Sequence, residues 1–482
     1  MEAGIISSGS FPPIDRSQWL EWGRAARESV RADAPSQPSY ADLRFEKLRQ
    51  PGPDTTSLNR GGAAWTIVQR IDDPDAKRAN AQAQQDVAEG ATGLAIVFDG
   101  APNAFGFGLP SRPEALAAAL HNIQLNRIYL RIDVHTMSRA SVDWIVELMR
   151  RKKVDPARLS LSFGIDPAAI FAGNGSLRMS IEALQASMPQ SLAHFFAMGI
   201  PAVLLEADGR VLHNAGASEA QELGAMIASA VSHLRMFQEA RQPLVYATPH
   251  MGFALSVDQD QFHSIAKLRA LRRLWARAQA ACGISPSPTR VHVETSYRML
   301  TAREPETNLL RSTLAAHAAA SGGADTISVL PHTLPRGLPD AKARRLARNA
   351  QLIMSHETNL SFLGDPWTAS EELELLTASL CESAWNEFRQ IEAEGGLLAS
   401  LLAGRLQARV AQERERRAQA YLDHDRKIVG TTIHVGSGAD KVSMLKAERK
   451  SPAADGVVFC ERLPSMRFDE LIGAAGDEPS GA

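Results

Sequence analysis

The chain of 482 residues is 44% hydrophobic and 22% charged, a composition that favours a globular protein with a sizeable core over a disordered or fibrous one. Basic residues (52 Lys and Arg) nearly balance acidic residues (54 Asp and Glu) and are scattered along the chain, so no nucleic-acid partner is expected. Three distant cysteines without a CxxC pair, and no apolar run long enough to cross a bilayer, predict a protein of the reducing cytoplasm with no membrane partner.

Residues 1–60 are polar and rich in proline, and we interpret them as an N-terminal arm. From residue 90 onward, short β-rich runs alternate with longer amphipathic segments, which is typical of repeated βα units. The predicted strands are residues 93–98, 127–132, 159–163, 202–205, 243–248, 290–294, 326–330 and 359–363. Eight parallel strands, each followed by a helix, predict an α/β fold, a (β/α)8 TIM barrel over residues 61–370. A doubly wound open sheet is the structural alternative, because the pattern alone does not establish closure.

Amphipathic segments between and after the strands predict helices. One stripe of the segment 259–281 carries the apolar residues Phe262, Ile265, Leu268, Leu271, Leu274 and Trp275, as a helix packed on a sheet requires. Residues 371–425 are predicted to form a C-terminal helical extension, and its Arg- and Glu-rich run 405–417 is interpreted as a solvated helix face. Residues 426–482 are interpreted as a C-terminal tail.

Two strand ends carry candidate functional side chains. Asp133 and His135 follow the strand predicted at 127–132, and barrel enzymes place their chemistry at the carboxyl ends of strands. A hydrogen-bonded loop pair is the alternative interpretation. His292 and Glu294 are expected to point to one side of the strand at 290–294. A metal site there would need a third ligand that the sequence does not identify, so no metal is predicted.

Other common sites are not indicated. The glycine-containing stretch 100–108 lacks the GxGxxG order and leads into a proline-containing turn, so it is interpreted as a loop and not as a dinucleotide site. No GxSxG elbow occurs, and no cysteine nucleophile is supported.

Several segments, in the same order along the chain, resemble the methylmalonyl-CoA mutase family over residues 60–430. They are residues 65–67, 90–94, 215–223, 265–276, 294–296, 347–352, 365–367 and 376–396. The resemblance implies a barrel that threads an acyl-CoA thioester along its axis, while a separate cobalamin domain covers the carboxyl face and presents adenosylcobalamin. Homolysis of the cobalt–carbon bond then starts a radical isomerisation, so the protein mainly orients groups and excludes water.

Most positions that correspond to the family's functional residues are changed in this chain. The Tyr that intrudes over the substrate corresponds to Arg60, and the Tyr-His pair before Ala-Gly-Ala corresponds to Arg210 and Val211. A register shift that would use His213 in place of that His is not favoured. The Gln of the His-x-Gln-Thr-Ser motif corresponds to Glu294, which would repel an anionic substrate, whereas the His is retained as His292.

The remaining correspondences concern the substrate's negative charge. The Gln and Arg that hold its carboxylate correspond to Gly164 and Asn174, and the Arg at the start of the fifth strand corresponds to Pro243. Losing such an Arg removes a charge-assisted contact and leaves the carboxylate with its desolvation cost. We therefore expect no catalytic residue, and His292 is the one candidate substrate-binding residue.

The resemblance as a whole implies the non-catalytic small subunit of a heterodimeric, adenosylcobalamin-dependent methylmalonyl-CoA mutase. The family's Asp-x-His-x-x-Gly cobalt-binding motif is missing, so no cobalamin-binding domain is expected, and residues 426–482 would be a remnant of the linker to it. Adenosylcobalamin would then belong to the complex, and none would be bound by this chain alone. The implied partners are the catalytic large subunit and, through the complex, acyl-CoA. Two alternatives stay open: an active barrel that uses a separately encoded cobalamin domain, and a non-catalytic acyl-CoA-binding protein.

Overall fold

Eight parallel strands close into a barrel in the part of the chain that the computed structural model describes, residues 17–18, 64–362, 365–367, 370–436, 442–452 and 455–476. The strands, labelled β1 to β8 in chain order, are Thr66–Ile71, Gly93–Ile96, Tyr129–Ile132, Ser160–Ile165, Ala202–Asp208, Met251–Val257, Arg290–Thr295 and Thr326–Ser328. Strand β8 pairs in parallel with β1, from Thr326 beside Thr66 to Ser328 beside Val68, which closes the ring. The predicted (β/α)8 barrel is confirmed, and the open sheet is wrong.

Two of the eight predicted strands are wrong, and two barrel strands, β1 and β6, are not among the predicted ones. Residues 243–248 contain a short helix, Leu244–Ala247, and the strand of this unit begins later, at Met251. Pro243 and Pro249 flank that helix, and a proline cannot donate to a sheet ladder. Of residues 359–363, Leu360–Phe362 form a 3-10 turn. In β1, Gln69 and Arg70 interrupt the apolar pattern that would have indicated a strand.

Helices follow the strands and surround the barrel. Labelled α1 to α15 in chain order, they are Ala76–Ala88, Pro113–Ala119, Ser138–Lys152, Pro167–Asn174, Ile181–Ala197, Arg210–Asn214, Glu219–Glu239, Leu244–Ala247, Gln261–Ala281, Thr307–Ser321, Ala341–His356, Glu371–Ala393, Leu397–Leu402, Arg405–Leu422 and Phe468–Gly476. Helix α7 begins at a capping box formed by Ser218 and Gln221, which satisfies backbone donors of its first turn. None of the helices in the described ranges has both the length and the apolar character that a membrane crossing needs.

The main core lies between the barrel wall and the helices. Outward-facing residues of the strands, such as Leu94 on β2 and Leu130 on β3, share one apolar cluster with residues of the surrounding helices. The stripe predicted on α9 is confirmed for its five buried members, Ile265, Leu268, Leu271, Leu274 and Trp275. Phe262, in the first turn of α9, is the exception, because 56% of it is exposed.

The C-terminal belt, residues 442–452 and 455–468, follows the carboxyl ends of the strands. It bonds in turn to the loops after β8, β2, β4, β5 and β7. The backbone pairs are Leu445 with Leu338, Lys450 with Gly106, Val457 with Leu177, Met466 with Asn214 and Phe468 with Arg298. The belt therefore ties together loops that are far apart in the sequence.

The helical extension packs more of its charged run than was predicted. In α14, Arg417 is only 6% exposed, and it pairs with Glu219 at 3.1 Å and with Glu413 at 2.8 Å. Arg416, its neighbour, is half exposed. The run 405–417 is therefore only in part a solvated face. The predicted N-terminal arm, residues 1–60, lies outside the described residues except for residues 17–18.

Candidate functional site

The barrel interior is lined by charged side chains that come from alternate strands. The odd-numbered strands supply, at or near their carboxyl ends, Arg70, Asp72, Arg131, Asp133, Glu206, Asp208 and Glu294, and β7 also supplies His292 from its middle. The even-numbered strands supply the small residues Ala95, Ser162, Ala254 and Ser328. Alternate strands of a TIM barrel fill successive interior layers, so small residues on one set leave room for long side chains on the other.

Two of the arginines bridge the odd-numbered strands. Arg70 Nη1 donates to Glu294 Oε2 at 2.6 Å, which joins β1 to β7. Arg131 Nη1 donates to Glu206 Oε1 at 2.5 Å, and its Nε donates to Asp133 Oδ1 at 2.8 Å, which joins β3 to β5. Each guanidinium therefore pairs with a carboxylate from another strand.

A third arginine, Arg210, connects these two pairs. It is the first residue of α6, and its guanidinium donates to Asp208 at 2.6 and 2.9 Å and to Asp133 at 2.8 and 3.2 Å. Glu294 Oε1 lies 3.6 Å from its Nη1. We call the ion pairs of Arg70, Arg131 and Arg210 with these carboxylates the axial network. It spans all four odd-numbered strands.

The axial network is shielded from water. Arg131 and Arg210 are 0% exposed, and none of its carboxylates is more than 4% exposed. Burial alone would raise the pKa of Asp133, but the guanidiniums of Arg210 and Arg131 outweigh it and hold that pKa well below its usual range. For Glu294, burial outweighs the attraction of Arg70 and Arg210, so its pKa is raised.

Side chains also cover both ends of this interior. At the amino end, the Arg290 guanidinium carbon lies 5.0 Å from the centroid of the Tyr129 ring on the opposite strand. At the carboxyl end, the rings of Phe105 and Tyr297 stack with centroids 4.2 Å apart and planes 9° apart. The guanidinium carbon of Arg70 lies 5.3 Å from the Phe105 ring. The axial network therefore fills the middle of the barrel interior, and other side chains cover both of its ends.

The predicted pair on β7 reaches the interior, as expected from its strand position. His292 is buried, its Nδ1 lies 2.8 Å from Thr326 Oγ1, and its Nε2 has no hydrogen-bond partner among the described residues. Burial, together with the nearby charges of Arg131 and Arg210, lowers the pKa of His292 well below its usual value, so the ring is neutral. Glu294 is held by Arg70. His292 is therefore a neutral wall residue beside the axial network.

Asp133 and His135 do not form a common site. The Asp133 side chain belongs to the axial network, whereas the His135 ring lies against Phe98, with centroids 4.5 Å apart. His135 Nδ1 is 3.0 Å from the backbone oxygen of Asp133, so the alternative interpretation, a local loop pair, describes the histidine. Within the described ranges, no group of three or more His, Cys, Asp and Glu side chains is arranged to hold a metal ion.

His213 belongs to a second buried polar cluster that was not predicted. Its Nδ1 lies 3.1 Å from Glu222 Oε2 and its Nε2 lies 2.9 Å from Ser296 Oγ. Lys267 Nζ donates to the same Glu222 oxygen at 2.7 Å. These side chains are at most 1% exposed, which leaves no approach for a substrate. The cluster ties α6, α7 and α9 to the end of β7.

The other predicted positions are spread over the molecule. Arg60 lies outside the described residues. Val211 is buried on α6, and Asn174 Nδ2 donates to the backbone oxygen of Gly100 at 3.2 Å. Gly164 has no room for a side chain, because a Cβ there would lie 2.5 Å from the backbone nitrogen of Val134. Pro243 precedes a short helix, and the strand begins at Met251, so the predicted strand start at Pro243 is wrong.

Sequence reasoning missed the basic half of the axial network. A signal was present on β3, where Tyr129, Arg131 and Asp133 alternate with apolar residues at the period of a strand and therefore share one face. The pairing of Arg131 with Glu206 could not be found in this way, because the two residues are 75 positions apart. Arg70 was missed together with its strand.

The family model and the curated relatives that match this chain agree on one family. The family described as "Methylmalonyl-CoA mutase" matches residues 111–463. The methylmalonyl-CoA mutase small subunit of Streptomyces virginiae is 34% identical over 349 residues, which cover 72% of this chain and 54% of that protein. The small subunit of Propionibacterium freudenreichii subsp. shermanii is 30% identical, over 72% of this chain and 53% of that protein. The methylmalonyl-CoA mutase large subunit of Streptomyces virginiae is 26% identical, over 88% of this chain and 59% of that protein. The chain spans about half the length of the curated small subunits that it matches.

Proposed function

The chain belongs to the methylmalonyl-CoA mutase family, and on that premise we propose that it is a non-catalytic small subunit of a heterodimeric mutase. The proposed complex is cytoplasmic and isomerises methylmalonyl-CoA and succinyl-CoA with adenosylcobalamin. In it, the catalytic large subunit carries out the chemistry, and this chain stabilises that partner.

The observation that carries the proposal is the occupied barrel axis. A thioester threaded along it would have to displace Arg70, Arg131 and Arg210 from their carboxylates. Breaking a buried ion pair costs about 3–5 kcal/mol, because the remaining charge is left without a partner in a medium of low polarity. Three such arginines make the interior a structural element of the barrel and not a substrate channel.

The residues at the changed positions support the same conclusion. Arg210 stands where active chains of the family have a Tyr, and here it is a central part of the axial network. Val211 stands where active chains have a His, and a buried apolar side chain cannot bond a thioester carbonyl. Glu294 places a carboxylate where an anionic substrate would need a donor.

The carboxyl end of this barrel does not fit adenosylcobalamin. A corrin ring that presents its adenosyl group to the axis needs an open mouth, whereas Phe105 and Tyr297 stack over it and are 8% and 5% exposed. In the proposal the cofactor therefore belongs to the large subunit. In the proposed complex, this chain carries out no step of the reaction.

A partnership is supported by the relatives' names. Streptomyces virginiae has both a small and a large subunit of methylmalonyl-CoA mutase, and both match this chain.

Co-expression tests the partnership. The large subunit encoded in the same organism is produced with a tag, with and without this chain, and its soluble yield and mutase activity are measured. We expect the two chains to co-purify and the large subunit to be recovered in higher yield. Failure to co-purify, together with full activity of the large subunit alone, would overturn the proposal.

Calorimetric titration of this chain with methylmalonyl-CoA tests the non-catalytic role. We expect no binding, and we expect none for Glu294→Gln, because three arginines still fill the axis. Binding by the unmodified chain would favour an acyl-CoA-binding protein instead. Turnover after addition of a cobalamin-domain protein would favour an active barrel. Binding gained by Glu294→Gln alone would show that one carboxylate, and not the filled axis, excludes the substrate.

A further inference from the structure

A cavity of about 260 Å³ lies outside the barrel, between the loops that follow β3 and β4. Its lining is mostly apolar. Four of its apolar residues, Ile165, Leu177, Leu184 and Met188, are buried, and Met137, Ile170 and Met179 are half-buried. Methionine side chains are flexible and polarisable, so such a lining adapts to apolar ligands of different shapes.

The charged groups of the cavity are two arginines and one carboxylate, and Thr136, Ser138 and Ser176 add hydroxyl groups to its lining. Arg139 Nη1 donates to Ser187 Oγ at 2.9 Å, and among the described residues Arg139 forms no ion pair. Arg178 Nη2 donates to Asp455 Oδ2 of the C-terminal belt at 2.8 Å. The side chains of Arg178 and Asp455 are 46% and 54% exposed, so this pair lies at the mouth.

The pair of Arg178 and Asp455 shows that this guanidinium already donates to a carboxylate. An ion pair exposed to this extent contributes little stability, because water screens it. A ligand carboxylate can therefore replace Asp455 at small cost, and Arg139 offers a second positive charge beside the same cavity. An apolar pocket with a few polar groups at one end is the usual arrangement of a small-molecule site.

We propose that this cavity binds a medium-chain aliphatic carboxylate. Its hydrocarbon tail lies on the methionine, leucine and isoleucine side chains, and its carboxylate is held by Arg178 and Arg139. The site lies on the outer side of the barrel wall, so it does not share residues with the axial network and does not rest on the proposed subunit role.

Isothermal titration of the full chain with octanoate tests the site. We expect octanol, which has the same tail without the charge, and acetate, which has the charge without the tail, each to bind at least about tenfold more weakly, since a charge-assisted contact or a buried chain is lost. Arg178→Gln and Arg139→Gln should each weaken octanoate binding about two- to fivefold, because water screens a contact at the exposed mouth. Arg158→Gln changes an exposed arginine away from the cavity and should leave the binding unchanged.

Two further variants separate the site from unspecific binding. Ile170→Trp should fill the cavity and abolish binding, and its unfolding midpoint reports whether the fold is kept. Asp455→Asn should strengthen octanoate binding severalfold, because it removes the carboxylate that competes for Arg178. No octanoate binding at millimolar concentration would overturn the proposal. Binding that Ile170→Trp and Arg178→Gln leave unchanged would equally overturn it.

Discussion

Replacing Arg210 with methionine tests whether the axial network excludes water and stabilises the fold. The substitution keeps a long side chain but removes donors to both Asp133 and Asp208, which lie 2.6 to 3.2 Å away. Arg210 is 0% exposed, so water cannot replace the lost contacts. Removing one partner of a buried pair costs about 3–5 kcal/mol, and we expect the free energy of unfolding to fall by that amount.

The loss of stability caused by Arg210→Met should depend on pH. In the unmodified chain Arg210 holds the pKa of Asp133 below its usual range, so this carboxyl stabilises the native state above about pH 4 and loses that contribution as the pH falls further. Without Arg210, the pKa of Asp133 rises, because burial is then opposed mainly by Arg131. The destabilisation should therefore be largest at neutral and alkaline pH and smaller near pH 5.

Denaturant unfolding monitored by circular dichroism at several pH values measures both the loss of stability and its dependence on pH. Arg158→Met, at an exposed arginine, is the matched control, and it should change the free energy of unfolding by less than about 0.5 kcal/mol. The double variant Arg210→Met with Asp208→Asn should recover part of the loss, since one unpaired carboxylate is removed. If Arg210→Met lowers stability by less than about 1 kcal/mol at every pH, the interior is hydrated and the reasoning is refuted.

Three further predictions concern other parts of the fold. Ser218→Ala removes the N-cap of α7 and should lower the free energy of unfolding by about 1 kcal/mol in the same assay. Ser218→Asp should leave the free energy of unfolding nearly unchanged, because aspartate also caps a helix. Arg449→Ala removes donors to three backbone carbonyls in the loops after β2 and β8, so limited proteolysis should cut the C-terminal belt faster, and an unchanged rate would contradict its role. Burial raises the pKa of Asp166 to about 7, so its stabilising contribution is greatest below about pH 4 and is lost as the pH rises to about 7; Asp166→Asn should reduce this slope in the same assay, whereas the part due to buried Glu222, whose pKa is also raised to about 7, should remain.

The barrel could be predicted from the sequence because each of its units is locally encoded. The β-rich run of β2 and the amphipathic stripe of α9 are periodic patterns that need no knowledge of distant residues. The exceptions show the limit of this argument. The segment 243–248 has strand-like composition but forms a helical turn between two prolines, and β1 was missed because Arg70 faces an interior that periodicity cannot identify as polar.

The sequence by itself determined the βα order and, through ordered motifs, the resemblance to the mutase family. It also marked Arg210, Val211 and Glu294 as changed positions, although it could not say what the new side chains do. Only the tertiary structure decided that the axis is occupied, because Arg131 meets Glu206 and Arg70 meets Glu294 across 75 and 224 positions of sequence. Such pairs form when strand closure brings alternate strands to one axis, and the exclusion of water there makes each charge depend on its partner.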